Sequence, residues 1–218
     1  MALAIFDLDN TLIAGDSDHS WGQFLVVENI VDHQHYKTMN DKFYADYESG
    51  CLDILAYLEF SLEPLTRLSM ENLQSLHKKF MRNVINPMKL QQAADLIHRH
   101  QQAGDRLLVI TSTNRFIVEP ICKSLGIDEI IATDLEIVDN KYTGKVRGTP
   151  TFKEGKVTRF HQWLEAQKLS NNVSYFYSDS INDMPMLLEV DHPIAVDPDS
   201  ALRKEAESRH WKIISLRA

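Results

Sequence analysis

The chain has 218 residues, a formal net charge of −8, 44% apolar residues and 25% charged residues. That length suits one domain of roughly 150 residues carrying a sizeable insert, and the composition is that of a globular protein able to bury a core. The acidic balance, with no run of Lys or Arg, argues against non-specific nucleic-acid binding and against adhesion to anionic membranes, since both need a basic face.

No apolar stretch approaches the ~20 residues that span a bilayer. The N-terminus, MALAIFDLD, is apolar for a few residues and then turns acidic, without the basic and long apolar regions of a signal peptide. It reads as a buried first strand, and a cytoplasmic location is expected. Cys51 and Cys122 are too few and too far apart for a disulfide framework or zinc site, and both are expected to be buried thiols.

Ala2 to Phe6 is the first strand. From about Asp16 to Asn86 the pattern is helical. Trp21, Phe24, Leu25 and Glu28 to Ile30 suggest one helix, and Leu52, Leu55, Tyr57, Leu58 and Leu62 another, with Pro64 and Pro87 as punctuation. A helix at Met88 to Ala103 then leads through Gly104 to a second buried strand, Leu107 to Thr111. A helix over Phe116 to Leu125, a short apolar strand at Ile130-Ile131, and a hairpin of Leu135 to Val138 with Tyr142 to Val146 follow. A helix over Lys156 to Gln167 precedes the strand Val173 to Asp179. Helices at Met184 to Glu189 and Ala201 to Ser208 alternate with strands at Ile194 to Val196 and Lys212 to Leu216. This alternation predicts an α/β fold, a doubly wound parallel sheet with helices on both faces. The helical block is too long for a simple crossover. It is expected to be an inserted cap, residues 16–86, on a core of residues 1–15 and 87–218.

In such sheets ligands bind at the carboxyl ends of the strands. Three strand ends carry reactive side chains: Asp7, Asp9 and Thr11 in DLDNT, Thr111-Ser112-Thr113, and Asp179, Asn182 and Asp183 in DSIND. A lone Asp there is usually a helix cap. Paired acids at two strand ends are harder to explain as structure, because carboxylates converging on one crevice repel. A divalent cation resolves the repulsion, and oxygen ligands suit Mg²⁺. Asp7 then has the chemistry of a nucleophile on phosphorus, and Asp9 is placed to move a proton to and from the leaving oxygen.

DLDNT, Thr111, an upstream Lys and DSIND resemble the four motifs of the haloacid dehalogenase-like (HAD) superfamily, and the helical insert resembles that of its phosphoserine-phosphatase-like branch. The resemblance covers nearly the whole chain. It implies a Rossmann-like core and a Mg²⁺-dependent phosphatase acting on a small phosphorylated metabolite through an aspartyl phosphate. It further implies Asp7 as nucleophile and metal ligand, and Asp9 as general acid/base with its carbonyl on the metal. Thr111 and the amide of Ser112 would bind phosphate, Asp179 and Asp183 would hold the metal, and Asn182 would contact phosphate or orient neighbours. Lys156, in FKEGK, is the expected third-motif lysine by its distance from Asp179, with Lys153 as competitor. A phosphotransferase fits the same residues. Dehalogenation is disfavoured by the acid at position 9, and a receiver-type signalling module by length.

The chain departs from phosphoserine phosphatases at two places. Ser112-Thr113 stands where they have two glycines, and LDILAYLEFSLEPL lacks the cap Arg that takes the substrate carboxylate, Arg67 being the nearest. Residues 15–86 hold eleven Asp/Glu against six Lys/Arg. Asp16 and Asp18, just past the first motif, are candidates to face a substrate ammonium; the alternative is that one of them caps the following helix. The expectation is an amino-alcohol phosphate without a carboxylate, such as histidinol phosphate, rather than phosphoserine. His33 and His35 form an HxH with no third ligand in view, so zinc is not expected.

Overall fold

The computed structural model describes residues 2–169 and 173–217. Strand β1, Leu3–Phe6, is fully buried. Between it and β2, Arg106–Asn114, lie α1 (Ser17–Val27), α2 (His33–Glu48), α3 (Ile54–Thr66), α4 (Met70–Phe80), a wide helical turn at Met81–Ile85, the short α5 (Asn86–Met88) and α6 (Gln91–Gln102). After β2 come α7 (Arg115–Ser124), β3 (Ile130–Thr133), the hairpin β4 (Leu135–Val138) and β5 (Lys141–Val146), α8 (Glu154–Gln167), β6 (Ser174–Ser178), a 3₁₀ turn at Ile181–Asp183, α9 (Met184–Leu187), β7 (His192–Val196), α10 (Ser200–Ser208) and β8 (Lys212–Ile214).

The main sheet has the order β3-β2-β1-β6-β7-β8, and every pairing in it is parallel. Strand β1 is central, and the order reverses beside it: the chain winds outward through β2 and β3, then returns to β6 on the other flank. Crevices for ligands open at such reversals, at the carboxyl ends of the strands. Side chains alternate across the sheet. Ala4, Phe6 and Val109 face one core cluster with residues of the helical insert, α6 and α7. Leu3, Ile5, Leu108 and Phe176 face the other, with Phe160 of α8, Leu187 of α9 and Leu202 of α10.

The helical insert leaves and rejoins the sheet at one place. The Ala14 amide donates to the Met88 carbonyl at 2.8 Å, and Ile13 bridges Lys89. Its apolar side chains are continuous with the sheet's core: Trp21, Phe24, Phe80 and Ile85 belong to the same cluster as Phe6 and Ile117. Trp21 packs edge-on against Phe116 of α7, with ring centroids 5.4 Å apart.

Several sequence expectations shift. Within the stretch expected to be helical, α2 and α4 were not singled out; the buried stripe of α2 is only Tyr36, Asn40 and Phe43 on an otherwise polar helix. Pro64 lies inside the last turn of α3 instead of ending it. Helix α8 begins two residues before Lys156. Cys122 is buried, but Cys51 is exposed, because it sits in the loop between α2 and α3. His33 and His35 are both exposed on the first turn of α2. The hairpin turns on Asp139 and Asn140, both at positive φ of 49° and 58°, as a two-residue turn matching the strand twist requires. Among the described residues no helix is long and apolar enough to cross a membrane.

Candidate active site

The backbone past β1 makes a tight loop that aims Asp7 and Asp9. The Asp7 amide donates to the Tyr177 carbonyl at 2.9 Å, extending the β1–β6 ladder by one residue. The Leu8 carbonyl then accepts from the amides of Thr11, Leu12 and Ile13. Asn10 turns the chain at φ 55°, a left-handed conformation that Asn tolerates.

Lys156 reaches across from α8 and closes the centre. Its Nζ donates to Asp7 Oδ1 at 2.7 Å and to Asp183 Oδ2 at 2.8 Å. Lys156, Asp7 and Asp183 are all buried. Asp183 also accepts from Ser178 Oγ at 2.7 Å. Asp179 Oδ1 accepts from Thr11 Oγ1 at 3.0 Å, and the Asp179 amide donates back to the same hydroxyl at 3.1 Å. The first and last acidic motifs are therefore held together by one lysine and one threonine.

Asp9 is gripped at both oxygens. Oδ1 accepts from the Ser17 amide at 2.6 Å, and Oδ2 from Thr113 Oγ1 at 2.8 Å. Asp16 caps α1, accepting from the His19 amide at 2.7 Å. A cavity of about 40 Å³ lies at these groups, lined by Asp7, Asp9, Asp16, Ser112 and Thr113 and by side chains of α1, α2 and α3, among them Asp18, His19, Phe43, Tyr44, Tyr47 and Tyr57.

The electrostatics report a shortage of positive charge. Burial pushes the Asp7 carboxyl well up, Lys156 pulls against it, and Asp183, Asp179 and Asp9 push further. Burial and Asp183 raise Asp179 to about 7, against the Thr11 hydrogen bond. Burial, then Asp16, raises Asp9 to about 7, against the bonds from Ser17 and Thr113. Asp16 and Asp18 also rise to about 7, through burial first, with Asp18 adding to Asp16 and the Tyr57 hydroxyl opposing at Asp18. Burial alone would lower Lys156, but Asp183 and Asp7 outweigh it and keep the ammonium charged.

Of the residues singled out in the sequence, Asp7, Lys156 and Asp183 are joined directly, and Asp9, Asp16, Asp18 and Ser112 meet at the cavity. Thr111 is buried under the strand end, where its hydroxyl accepts from the Thr113 amide at 3.3 Å. Asn182 donates to the Tyr47 carbonyl of α2 at 3.1 Å, so in this structure it holds the insert. Lys153 points elsewhere, to the Gly50 carbonyl at 2.9 Å. Sequence reasoning assigned no partner to Thr113 or Thr11 and did not single out Ser178. The first two were visible as hydroxyls in the motifs, but nothing in the sequence says which acid each would meet.

The haloacid dehalogenase-like hydrolase family model matches residues 4–188. The chain belongs to that family. A histidinol-phosphatase of Neisseria meningitidis serogroup C (strain 8013) is 49% identical, with 99% of each chain covered. A structure of a protein of unknown function from Bordetella pertussis Tohama I superposes with a TM-score of 0.93 at 42% identity, covering 99% of this chain and 98% of the other. A phospho-aspartyl intermediate analogue of a phosphoserine phosphatase gives a TM-score of 0.72 at 19% identity, covering 99% and 93%, and so shares the haloacid dehalogenase-like fold.

Proposed function

We propose that this chain is a phosphatase that hydrolyses a small phosphate monoester through an aspartyl phosphate on Asp7. The observation that carries the reading is the Asp7–Lys156–Asp183 arrangement at the point where the strand order reverses. Lys156 lies where a substrate phosphate would come to Asp7, so its charge offsets both. Asp7 attacks phosphorus. Asp9, two residues on and gripped by Thr113 and Ser17, gives its proton to the leaving alkoxide and later takes one from water. Ser112 and Thr111 at the end of β2 supply the amide and hydroxyl for the phosphate, and Asn182 ties the site to the insert. Residues 16–86 act as the cap over it.

The residues present fit Mg²⁺. The donors are all oxygen: Asp7 and Asp183 share the Lys156 ammonium, Asp179 is close enough to feel both Asp183 and Lys156, and Asp9, Asp16 and Asp18 line the same cavity as Asp7. Among the described residues no three His, Cys, Asp or Glu side chains close on one point. Asp7, Asp179 and the Asp9 carbonyl would hold the ion, with Asp183 in support and water completing the shell, the habit of Mg²⁺. When bound, it supplies positive charge that draws the phosphate toward Asp7.

We further propose an amine-bearing substrate of the histidinol phosphate type. Support comes from the near-full-length 49% identity to a histidinol-phosphatase and from the cavity, where Asp16 and Asp18 meet an aromatic wall. Asp16 already caps α1, so Asp18 is the freer of the two for an ammonium. A phosphate-release assay over a metabolite panel tests both readings. In Mg²⁺, histidinol phosphate should exceed phosphoserine by about tenfold or more in kcat/KM, the worth of one charge contact. EDTA and Asp7→Asn should each abolish turnover. Phosphoserine as the better substrate overturns the specificity. More than a few per cent of activity left in Asp7→Asn overturns the nucleophile.

A further inference from the structure

We propose that Thr113 is the positioning residue for the Asp9 carboxyl group, holding it in line for proton transfer. The inference rests on Asp9 as general acid/base.

Asp9 sits in the loop after β1, past the last strand pairing of Phe6. Its orientation comes from two hydrogen bonds. One is from the Ser17 amide at 2.6 Å, the first residue of α1, and the other from Thr113 Oγ1 at 2.8 Å. The two donors belong to different bodies: Ser17 to the helical insert, Thr113 to the sheet. Of the two, the Thr113 bond ties the carboxyl group to the strand layer that carries Asp7.

Thr113 is itself fixed. It is 4% exposed, and its amide donates to Thr111 Oγ1 at 3.3 Å. The β2–β3 register breaks between Ile110 and Asn114, and this irregular stretch carries Thr113 to the cavity. A hydroxyl suits the task better than another donor. It donates to a carboxylate and can accept from a carboxylic acid, so it holds Asp9 in both protonation states that the cycle visits. Two glycines at this place, the pattern from which the chain departs, would offer no such bond.

The test compares Thr113→Val, Thr113→Ala, Thr113→Ser and Asp9→Asn on an alkyl phosphate and on p-nitrophenyl phosphate. An alkoxide needs a proton to leave; nitrophenolate hardly does. kcat/KM covers the steps up to leaving-group departure. Thr113→Val and Thr113→Ala should lose about tenfold or more on the alkyl ester and at most about threefold on the aryl ester, the scale of a misplaced proton donor. The loss should fall in kcat, with KM nearly constant, and Thr113→Ser should restore most of it. Asp9→Asn should show the same leaving-group dependence more strongly. Equal losses on both esters in the Thr113 variants, or no loss at all, overturn the inference while Asp9→Asn still discriminates. If Asp9→Asn does not discriminate either, the acid/base role of Asp9 fails, and the Thr113 role falls with it.

Discussion

Asp18 gives the residue scale its sharpest stability consequence. It is half-buried in the cavity, and burial raises its carboxyl to about 7, with Tyr57 opposing. In the unfolded chain an Asp titrates near its usual value of about 3.9. Between the two, the folded protein holds a proton that the unfolded chain does not. Stability from this group is therefore full below about pH 4 and is lost as pH rises through about 7. Asp18→Asn removes the loss. In metal-free buffer its melting temperature should match the wild type at pH 4.5 and exceed it by a few degrees at pH 8, on the order of 1–2 kcal/mol after solvent screening. A difference that stays flat from pH 4.5 to 8 would show that Asp18 ionises freely in the folded state. At this scale much of the site was legible. Paired acids at two strand ends cost too much without a shared purpose, so Asp7, Asp9, Asp179 and Asp183 stood out. Lys156 was favoured over Lys153 by distance alone, and the two lysines indeed go to different places, Asp7 and Gly50. The Thr113–Asp9 bond was not legible, because it joins residues 104 apart in sequence through a side-chain orientation that no pattern encodes.

At the scale of elements, the turn before α8 decides where Lys156 goes. Lys153 takes φ 48°, the Gly155 amide donates to the Phe152 carbonyl at 2.8 Å, and the Lys156 amide to the Lys153 carbonyl at 2.9 Å. A Cβ on Gly155 would lie 2.1 Å from the Pro150 carbonyl oxygen, a backbone atom that cannot swing away like a side chain. Gly155→Ala must therefore shift the first turn of α8, one residue from Lys156. The variant should lose roughly 1–3 kcal/mol in chemical denaturation, the usual cost of overpacking, and about a hundredfold in kcat, since a displacement near 1 Å at the reacting groups costs that much. Wild-type denaturation and kcat in Gly155→Ala would mean the turn yields freely. The sequence read Gly155 only as part of FKEGK. It found most strands and the hairpin because their apolar runs and turn residues are local signals. It read the stretch holding α2 as helical but did not single that helix out, because a buried stripe of Tyr36, Asn40 and Phe43 leaves the pattern mostly polar, and it gave Pro64 the force of a stop that a late helical position does not have.

For the whole molecule the question is how a substrate enters. The cavity over Asp7 is about 40 Å³, whereas pockets for metabolite-sized ligands run to about 300 Å³ and above. Part of the insert must move. Helices α1 and α4 are poor candidates, because Trp21 and Phe80 share the core of the sheet. The end of α2 and the loop to α3 are better ones. They meet the sheet layer through Asn182 to the Tyr47 carbonyl at 3.1 Å, Lys153 to the Gly50 carbonyl at 2.9 Å, and the Tyr47 and Phe152 rings 6.3 Å apart. Two hydrogen bonds, one to a carbonyl in the last turn of α2 and one to a loop carbonyl just past it, make a weak clasp, each worth about 1 kcal/mol, which closure can form and product release can break. Chain patterning showed that an insert existed, but not that its helices would share the sheet's core while the end of α2 is held to the sheet layer by side chains. Lys153→Met keeps most of the stem and removes the donor. It should raise KM about three- to tenfold for the best substrate, because less of the enzyme stands closed over it, and leave kcat nearly unchanged. It should also speed limited proteolysis in the loop of residues 50–53, which the wild type protects by the same bond. Unchanged KM together with unchanged cleavage would mean that the α2 end is held by something other than Lys153, and that entry runs by another route.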